Sequence, residues 1–149
     1  MSVALAANGG LEESAAGLAA LRGLDRVLWN EAEPGLWTGV LPPGVDEPRL
    51  LADLVESLRA AIAAGDCPAP LLLALHEGLV RLSGGEFRGP ALTTVRELGR
   101  ARLPGPFSVV VSRRVFEDLE ALEFQPFPVS RFRPVTIGAV PALVAGWPL

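Results

Sequence analysis

The clearest repeating pattern of apolar residues lies between Asp46 and Gly65. The apolar positions of this stretch share one helical face: Leu51, Leu54, Val55, Leu58 and Ile62. Their spacing of three and four residues is that of an amphipathic helix. Asp46 can accept hydrogen bonds from the first free N–H groups, Pro48 is compatible with the first turn, and Gly65 suits the end. We therefore predict a helix over this stretch.

Four further segments have helical character. Leucines recur at helical spacing across residues 12–29, and residues 71–82 form an apolar stretch that ends at two glycines. A shorter helix is predicted over residues 91–100. Another follows Ser112, whose hydroxyl can cap it. The apolar stripe of this last helix comprises Val115, Phe116, Leu119 and Leu122.

Strand signals are concentrated towards the C-terminus. Residues 107–111 are rich in valine and bounded by turn residues, which predicts a buried strand. Prolines then disfavour long helices, so residues 127–133, 135–140 and 142–145 are predicted to be short strands or extended edges. Together with the helices, these strands predict a compact α+β fold, a single domain over residues 1–149 with several helices and a small mixed sheet.

Two segments have no clear periodicity. Residues 1–10 end in Asn-Gly-Gly and are predicted to be a loose N-terminal segment. Residues 33–48 contain four prolines and three glycines around Trp37, which predicts a loop or an extended arm.

The composition indicates self-association. Half of the residues are hydrophobic and the mean hydropathy is +0.37, a high value for a chain of 149 residues. Either the core is unusually rich, or another chain covers part of the surface; we favour the second, and expect a homo-oligomer or binding to another protein. Because interfaces favour tryptophan as an anchor, Trp29, Trp37 and Trp147 are candidate interface residues, although each could equally pack in the core.

Charge and patterning argue against nucleic acid and membrane partners. The net charge is −4 and the only basic doublet is Arg113-Arg114, so a phosphate backbone would be repelled. The longest uncharged stretch, residues 134–149, is too short and too rich in proline to span a bilayer. The N-terminus has no basic region typical of a secretory signal. We therefore expect a cytoplasmic protein.

Candidate catalytic residues are few. His76 is the only histidine and is placed on the predicted 71–82 helix, where a structural role is expected. Cys67 follows Asp66 at the end of a helix, and both features should raise the pKa of its thiol and make it inert. All thirteen basic residues are arginine, so no lysine can form a Schiff base. The chain is expected not to be an enzyme and to hold no metal or cofactor.

Other motifs have structural interpretations. The carboxylate doublets Glu12-Glu13, Asp46-Glu47 and Glu117-Asp118 lie at or near predicted helix starts, where the helix dipole favours them. Residues 83–90 are rich in glycine but lack the ending of a phosphate-binding loop, so a helix end followed by a turn is predicted.

Several runs in the C-terminal part follow one recognisable order. Residues 92–98 form a helix-like run that leads into Gly-Pro-Phe and an aliphatic strand at 105–112, followed by a helix with an aromatic residue at 115–119. Residues 127–129 are Phe-Pro-Val, and residues 135–143 combine an aliphatic strand with a Val-Pro-Ala-Leu turn. This order resembles the axial domain of encapsulins and tailed-phage major capsid proteins.

The resemblance covers forty to sixty residues and implies a self-assembling structural subunit. Complete shell proteins are much longer, so the chain is closer in size to truncated, axial-domain-only encapsulin-like proteins. No residues here match the flavin-binding or cargo-binding features of that family. Two alternatives stay open: an adaptor domain that binds a partner through its apolar C-terminal tail, and an enzyme without a recognisable motif.

Overall fold

The fold was analysed in a computed structural model that describes residues 1–7, 27–41, 47–121 and 129–149. These residues form three helices, a seven-stranded mixed sheet and a separate two-stranded hairpin, which confirms the predicted α+β class. The strands are β1 (Ser2–Ala7), β2 (Leu28–Glu33), β3 (Leu36–Val40), β4 (Leu71–His76), β5 (Arg81–Ser83), β6 (Glu86–Arg88), β7 (Phe107–Ser112), β8 (Arg133–Ile137) and β9 (Val140–Gly146). The helices are α1 (Glu47–Ala63), α2 (Pro90–Gly99) and α3 (Arg113–Ala121), and Val129–Arg131 form a 3-10 turn.

The large sheet has the order β2-β3-β1-β4-β7-β9-β8. Its central strands β4 and β7 are parallel, and every other neighbouring pair is antiparallel. All side chains of β7 are buried, as are those of β4 up to Leu75. Strands covered on both faces have near-continuous apolar sequences, and this is why β4 and β7 are so rich in leucine and valine.

The first face of the sheet packs against α1 and α3. Leu73 of β4 and Val109 of β7 lie in this core and are fully buried. The stripe predicted for α1 is buried here, from Leu51 to Ile62, and α3 contributes Val115 and Leu119. Ser112 caps α3 as predicted, because its Oγ accepts a hydrogen bond of 3.5 Å from the Val115 N–H.

The second face packs against α2. Leu92, Val95 and Leu98 of this helix contact a core that includes Ala74 of β4 and Val110 of β7. The alternation of side chains along each strand therefore divides the apolar residues between two cores, one on each side of the sheet. Within the described residues one helix covers the second face, together with the partly buried Phe87 of the hairpin and Val80 just before it.

The prediction of a helix over residues 71–82 is wrong. Leu71–His76 are β4, and Arg81–Arg88 form the β5–β6 hairpin. A short apolar run satisfies a buried strand as well as a buried helix, and the pairing of β4 with β1 and β7 decides in favour of the strand. The prediction of a helix end over residues 83–90 is also wrong, because these residues form the turn and the second strand of the hairpin. Gly84 and Gly85 have φ of 59° and 80°, as the tight turn of a hairpin requires.

Three other predictions need correction or fall outside the described residues. Of the predicted loose segment 1–10, residues 2–7 are an interior strand that pairs with β3 and β4. The predicted arm 33–48 contains β3 and the turn of the β2–β3 hairpin, while residues 42–46 lie outside the described residues. The predicted helix 12–29 lies outside them except for residues 27–29, of which Leu28 and Trp29 belong to β2.

The predictions for the C-terminal residues are only partly matched. Of the strand predicted at 127–133, residues 127 and 128 lie outside the described residues, residues 129–131 form the 3-10 turn, and Arg133 begins β8. The strands predicted at 135–140 and 142–145 correspond to β8 and β9, which are joined by a tight turn. The uncharged stretch 134–149 is therefore mostly part of the sheet.

Both edges of the large sheet are unfavourable for pairing with a further strand. The edge strand β2 carries exposed Glu31 and Glu33, and its pairing with β3 shifts register between these two residues. The opposite edge, β8, contains Pro134, which has no N–H to donate. Charges, irregular register and proline are the usual means of preventing edge-to-edge association. No helix within the described parts of the chain is long and apolar enough to cross a membrane.

Candidate functional site

His76 is the last residue of β4, where the backbone turns away from the sheet, and not a helical residue as predicted. Its Nδ1 atom is buried and has no hydrogen-bond partner among the described residues. Burial lowers the pKa of the imidazole, and the positive charges of Arg114 and of the N-terminal amine lower it further. The side chain is therefore neutral at neutral pH.

Cys67 lies in the turn after α1 and is buried in the first core. Burial raises the pKa of its thiol to about 11. The direction of this shift agrees with the prediction, but desolvation causes it, and the prediction rested on Asp66 and the helix end. A thiol with this pKa is a poor nucleophile at neutral pH.

The carboxylates are dispersed. Glu117 and Asp118 lie in the second turn of α3, and Glu117 Oε1 is 3.7 Å from Arg113 Nε. Glu47 is the first residue of α1, whereas Asp46, Glu12 and Glu13 lie outside the described residues. In the part of the chain that the structure describes, no three His, Cys, Asp or Glu side chains are grouped so that they could hold a metal ion.

The candidate interface tryptophans occupy two places. Trp29 of β2 and Trp37 of β3 both pack against the first core and are half-buried. A Cβ atom on Gly39, which pairs with Trp29, would approach the Trp29 ring to 2.9 Å, so the glycine leaves room for the indole. Both indole N–H groups are buried without an acceptor among the described residues.

Trp147 follows β9, and in the order of the sheet the parallel pair β4–β7 lies between β9 and the strands β2 and β3 that carry the other two tryptophans. Its ring packs edge-on against Phe132 with centroids 6.3 Å apart, and the backbone N–H of Trp147 donates to the Phe107 carbonyl at 2.8 Å. The structure therefore brings Trp29 and Trp37 together and separates them from Trp147.

Among the described residues, the most exposed large apolar side chains lie on the β5–β6 hairpin and on the segment just before it, and neither position was predicted from the sequence. Leu79 is 84 % exposed and Leu82 is 65 % exposed. Together with Arg81 and Arg88, these two leucines form what we call the hairpin surface. It borders a pocket of about 490 Å³. The signal that could have revealed it is the Gly84-Gly85 pair between two short stretches, a typical hairpin pattern.

A second surface feature is a groove between α3 and the β8–β9 hairpin, here called the α3 groove. Phe116 of α3 and Leu143 of β9 line it and are half-buried. Glu117 and Glu120 of α3 also line it and are exposed. The volume of the groove is about 510 Å³. Phe116 was predicted to lie on an apolar stripe, but the position of the C-terminal strands beside it depends on the folded sheet.

A cleft of about 420 Å³ lies at the C-terminal end of α2, between the helix and the β2–β3 turn. The Arg100 Nε donates to Glu33 Oε1 at 3.0 Å, and this bond lowers the pKa of Glu33. Arg100 Nη1 is also 3.9 Å from Glu97. Arg100 is therefore shared between two carboxylates, Arg102 also lines the cleft, and the contact with Glu33 ties the β2–β3 hairpin to the end of α2.

Comparison of the chain with protein-family models gave no match, and comparison with curated proteins gave none either.

Proposed function

We propose that this protein is a self-associating structural subunit. The observation that carries the proposal is the exposure of Leu79 and Leu82 on the hairpin surface. Burial of apolar surface is worth about 25 cal/mol per Å², so two leucines held out of the core are a source of free energy for association. Neighbouring apolar residues on a projecting element typically mark an interaction site.

The arrangement of reactive side chains supports a structural role over a catalytic one. His76 has a lowered pKa and Cys67 a raised one, and they lie on different elements. Neither has an activating partner in the described part of the chain. The high mean hydropathy, +0.37, also favours a subunit whose surface is partly covered by other copies.

Assembly into a shell is the specific form of self-association that the capsid-like resemblance suggests. Its support is the order of α2, β7 and α3, a helix, an aliphatic strand and a helix with Phe116, over the residues that carry the resemblance. The blocked edges of the sheet favour contacts through side chains over strand addition.

The alternative of an adaptor with an apolar C-terminal tail has less support. Residues 134–146 of that tail belong to the β8–β9 hairpin, and β9 is an interior strand. Only the last three residues extend beyond the sheet, among which Leu149 is 49 % exposed. A partner that recognises this stretch would therefore have to bind a surface of the folded sheet.

Mass photometry and size-exclusion chromatography of the purified protein at micromolar concentration test the proposal. We expect particles larger than one chain, and electron microscopy would then distinguish shells from rings or filaments. The matched variant replaces both Leu79 and Leu82 with serine and should shift the distribution towards monomers while the circular dichroism spectrum is retained. A wild-type protein that stays monomeric over this concentration range contradicts the proposal.

A further inference from the structure

We infer that association is head-to-tail: the hairpin surface of one copy docks into the α3 groove of the next. This inference rests on the proposed self-association and specifies its geometry. It is drawn from the chemistry of two different surfaces of the same chain, and it names a second copy of the chain as the occupant of the groove.

The hairpin surface is apolar and positively charged. Leu79 and Leu82 project into solvent, and Arg81 forms no ion pair with any described residue. Arg88 contacts Glu86 at 3.2 Å, but both of these side chains are about two-thirds exposed, so the pair is weak and can rearrange. A binding site for this surface must therefore offer an apolar floor with carboxylates at its rim.

The α3 groove has that composition. Phe116 and Leu143 provide half-buried apolar lining, and the exposed Glu117 and Glu120 outnumber Arg113, the one arginine that also lines the groove. Glu117 is 3.7 Å from Arg113, while Glu120 forms no ion pair with a described residue. One carboxylate of the groove is thus available for an arginine of another chain, and the other is only loosely engaged.

Charge complementarity disfavours the symmetric alternatives. Each surface carries an excess of one sign: two arginines against Glu86 on the hairpin, and two glutamates against Arg113 in the groove, so two hairpins or two grooves would bring like net charges together. Like charges at an interface are unfavourable, whereas hairpin against groove pairs opposite charges around apolar contacts. The favoured contact therefore joins two different surfaces.

The positions of the two surfaces are compatible with repeated docking. The base of the hairpin packs on the second core through Val80 and Phe87, whereas Phe116 and Leu143 of the groove pack on the first core. Docking of one surface consequently leaves the other free for a third copy. Head-to-tail contacts generate rings when the rotation that relates neighbouring copies returns to the first copy, and open assemblies when it does not.

Charge reversal provides the test. Arg81→Glu and Glu120→Arg should each shift the particle mass towards that of one chain, with at least about a tenfold weaker association constant, which corresponds to about 1.4 kcal/mol. An equimolar mixture of the two variants should assemble again, because each hairpin then meets a groove of opposite charge. The double variant in one chain should also assemble.

Two matched variants control for charge alone. Arg102→Glu reverses the charge of an exposed arginine outside the hairpin, and Asp53→Arg reverses the charge of an exposed carboxylate on α1. Both should assemble like the wild type in mass photometry, and circular dichroism should be unchanged for every variant. The mixing experiment adds its own control for folding, since two misfolded variants could not restore assembly.

The outcomes separate this inference from the proposed function. If the wild type assembles but Arg81→Glu and Glu120→Arg assemble equally well, the docking inference is overturned and self-association stands. If both variants dissociate and neither the mixture nor the double variant recovers, the pairing of these two surfaces is also overturned. A wild type that is monomeric overturns both proposals.

Discussion

Strand β4 and the β5–β6 hairpin follow each other directly in the chain and have opposite environments. In β4, Leu71, Leu73 and Leu75 are at most 1 % exposed. Only a few residues later, Leu79 and Leu82 are 84 % and 65 % exposed. The residue type is the same, so the difference arises from neighbours: β4 has a strand on each side and a core on each face, whereas β5, which contains Leu82, pairs only with β6, and Leu79 lies in the segment before β5.

This comparison separates two uses of leucine in one protein. Leucines of β4 stabilise the fold, because their removal leaves a cavity between packed layers. Leucines of the hairpin surface contribute little to the fold and are available for binding. Stability and association should therefore respond to different substitutions.

The largest expected effect tests this separation directly. Leu73→Ala should lower the free energy of unfolding by about 2–5 kcal/mol, because Leu73 is fully buried in the first core. Urea denaturation followed by circular dichroism measures the loss. The control is Leu82→Ala, for which the change should stay within about 0.5 kcal/mol. Equal losses for the two variants would contradict the distinction between buried strand and exposed hairpin.

A smaller effect is expected from serines in the same two environments. Ser112 ends the buried strand β7 and accepts a hydrogen bond from the Val115 N–H, so Ser112→Ala should destabilise the protein by about 0.5–2 kcal/mol. Ser83 is exposed on the hairpin, and Ser83→Ala serves as the control with little expected change. Both values come from urea denaturation; a larger loss for Ser83→Ala would reverse the comparison.

A local effect is expected at the turn of the hairpin. Gly85 has φ of 80°, so Gly85→Ala introduces a strain of about 1–2 kcal/mol in a left-handed conformation. Because the hairpin pairs only with itself, we expect faster hydrogen exchange in residues 81–88 and little change in the global unfolding transition. Gly146→Ala is the matched control, since Gly146 is exposed and has no neighbour within 4 Å of an added Cβ. A global shift for Gly85→Ala would show that the hairpin is part of the cooperative core.

The smallest effect is expected from the exposed ion pair at the other end of α2. The hydrogen bond from Arg100 lowers the pKa of Glu33. The ion pair therefore stabilises the folded protein at pH values above the carboxyl pKa of the unfolded chain, and this stabilisation is lost as the pH falls through the lowered pKa of the folded state. Glu33→Gln should lower the thermal midpoint slightly at pH 7 and not at pH 3. Salt should reduce the difference as well. The control is Glu31→Gln on the same strand, and a pH-independent effect of Glu33→Gln would contradict an ionic origin.

Much of the helical part of the fold could be predicted from the sequence. The stripe from Leu51 to Ile62 identifies α1 because its apolar side is buried and its polar side exposed, so the pattern has a helical period. The cap at Ser112 identifies the start of α3 for a local reason, the hydrogen bond to Val115.

The buried strands could not be predicted in the same way. Residues 71–76 are apolar at every position before His76, so they carry no alternation from which a strand could be recognised. What makes them a strand is their pairing with β1 and β7, which are far away in sequence. The strand β1 was missed because its small residues resemble a loose terminus until their neighbours are known.

The candidate site was difficult to predict from the sequence for a related reason. Trp29, Trp37 and Trp147 were identified by residue type, yet residue type cannot distinguish a core contact from an exposed one. The hairpin surface and the α3 groove depend on exposure and on elements brought together by the fold. Glu120 and Leu143, for example, become neighbours only when β9 is paired with β7 beside α3.

The central position of β1 also constrains how the chain can be made. Ser2 pairs with Val40 and with His76, so β1 is synthesised before both of its neighbours and has no second neighbour until β4 has left the ribosome. Val3 and Ala4, which are buried in the folded protein, cannot be covered by β4 during that interval. A sheet built from such distant partners closes late and slowly. The nascent chain is therefore vulnerable to aggregation before β4 is complete, and production of the protein should benefit from slow translation or from chaperones.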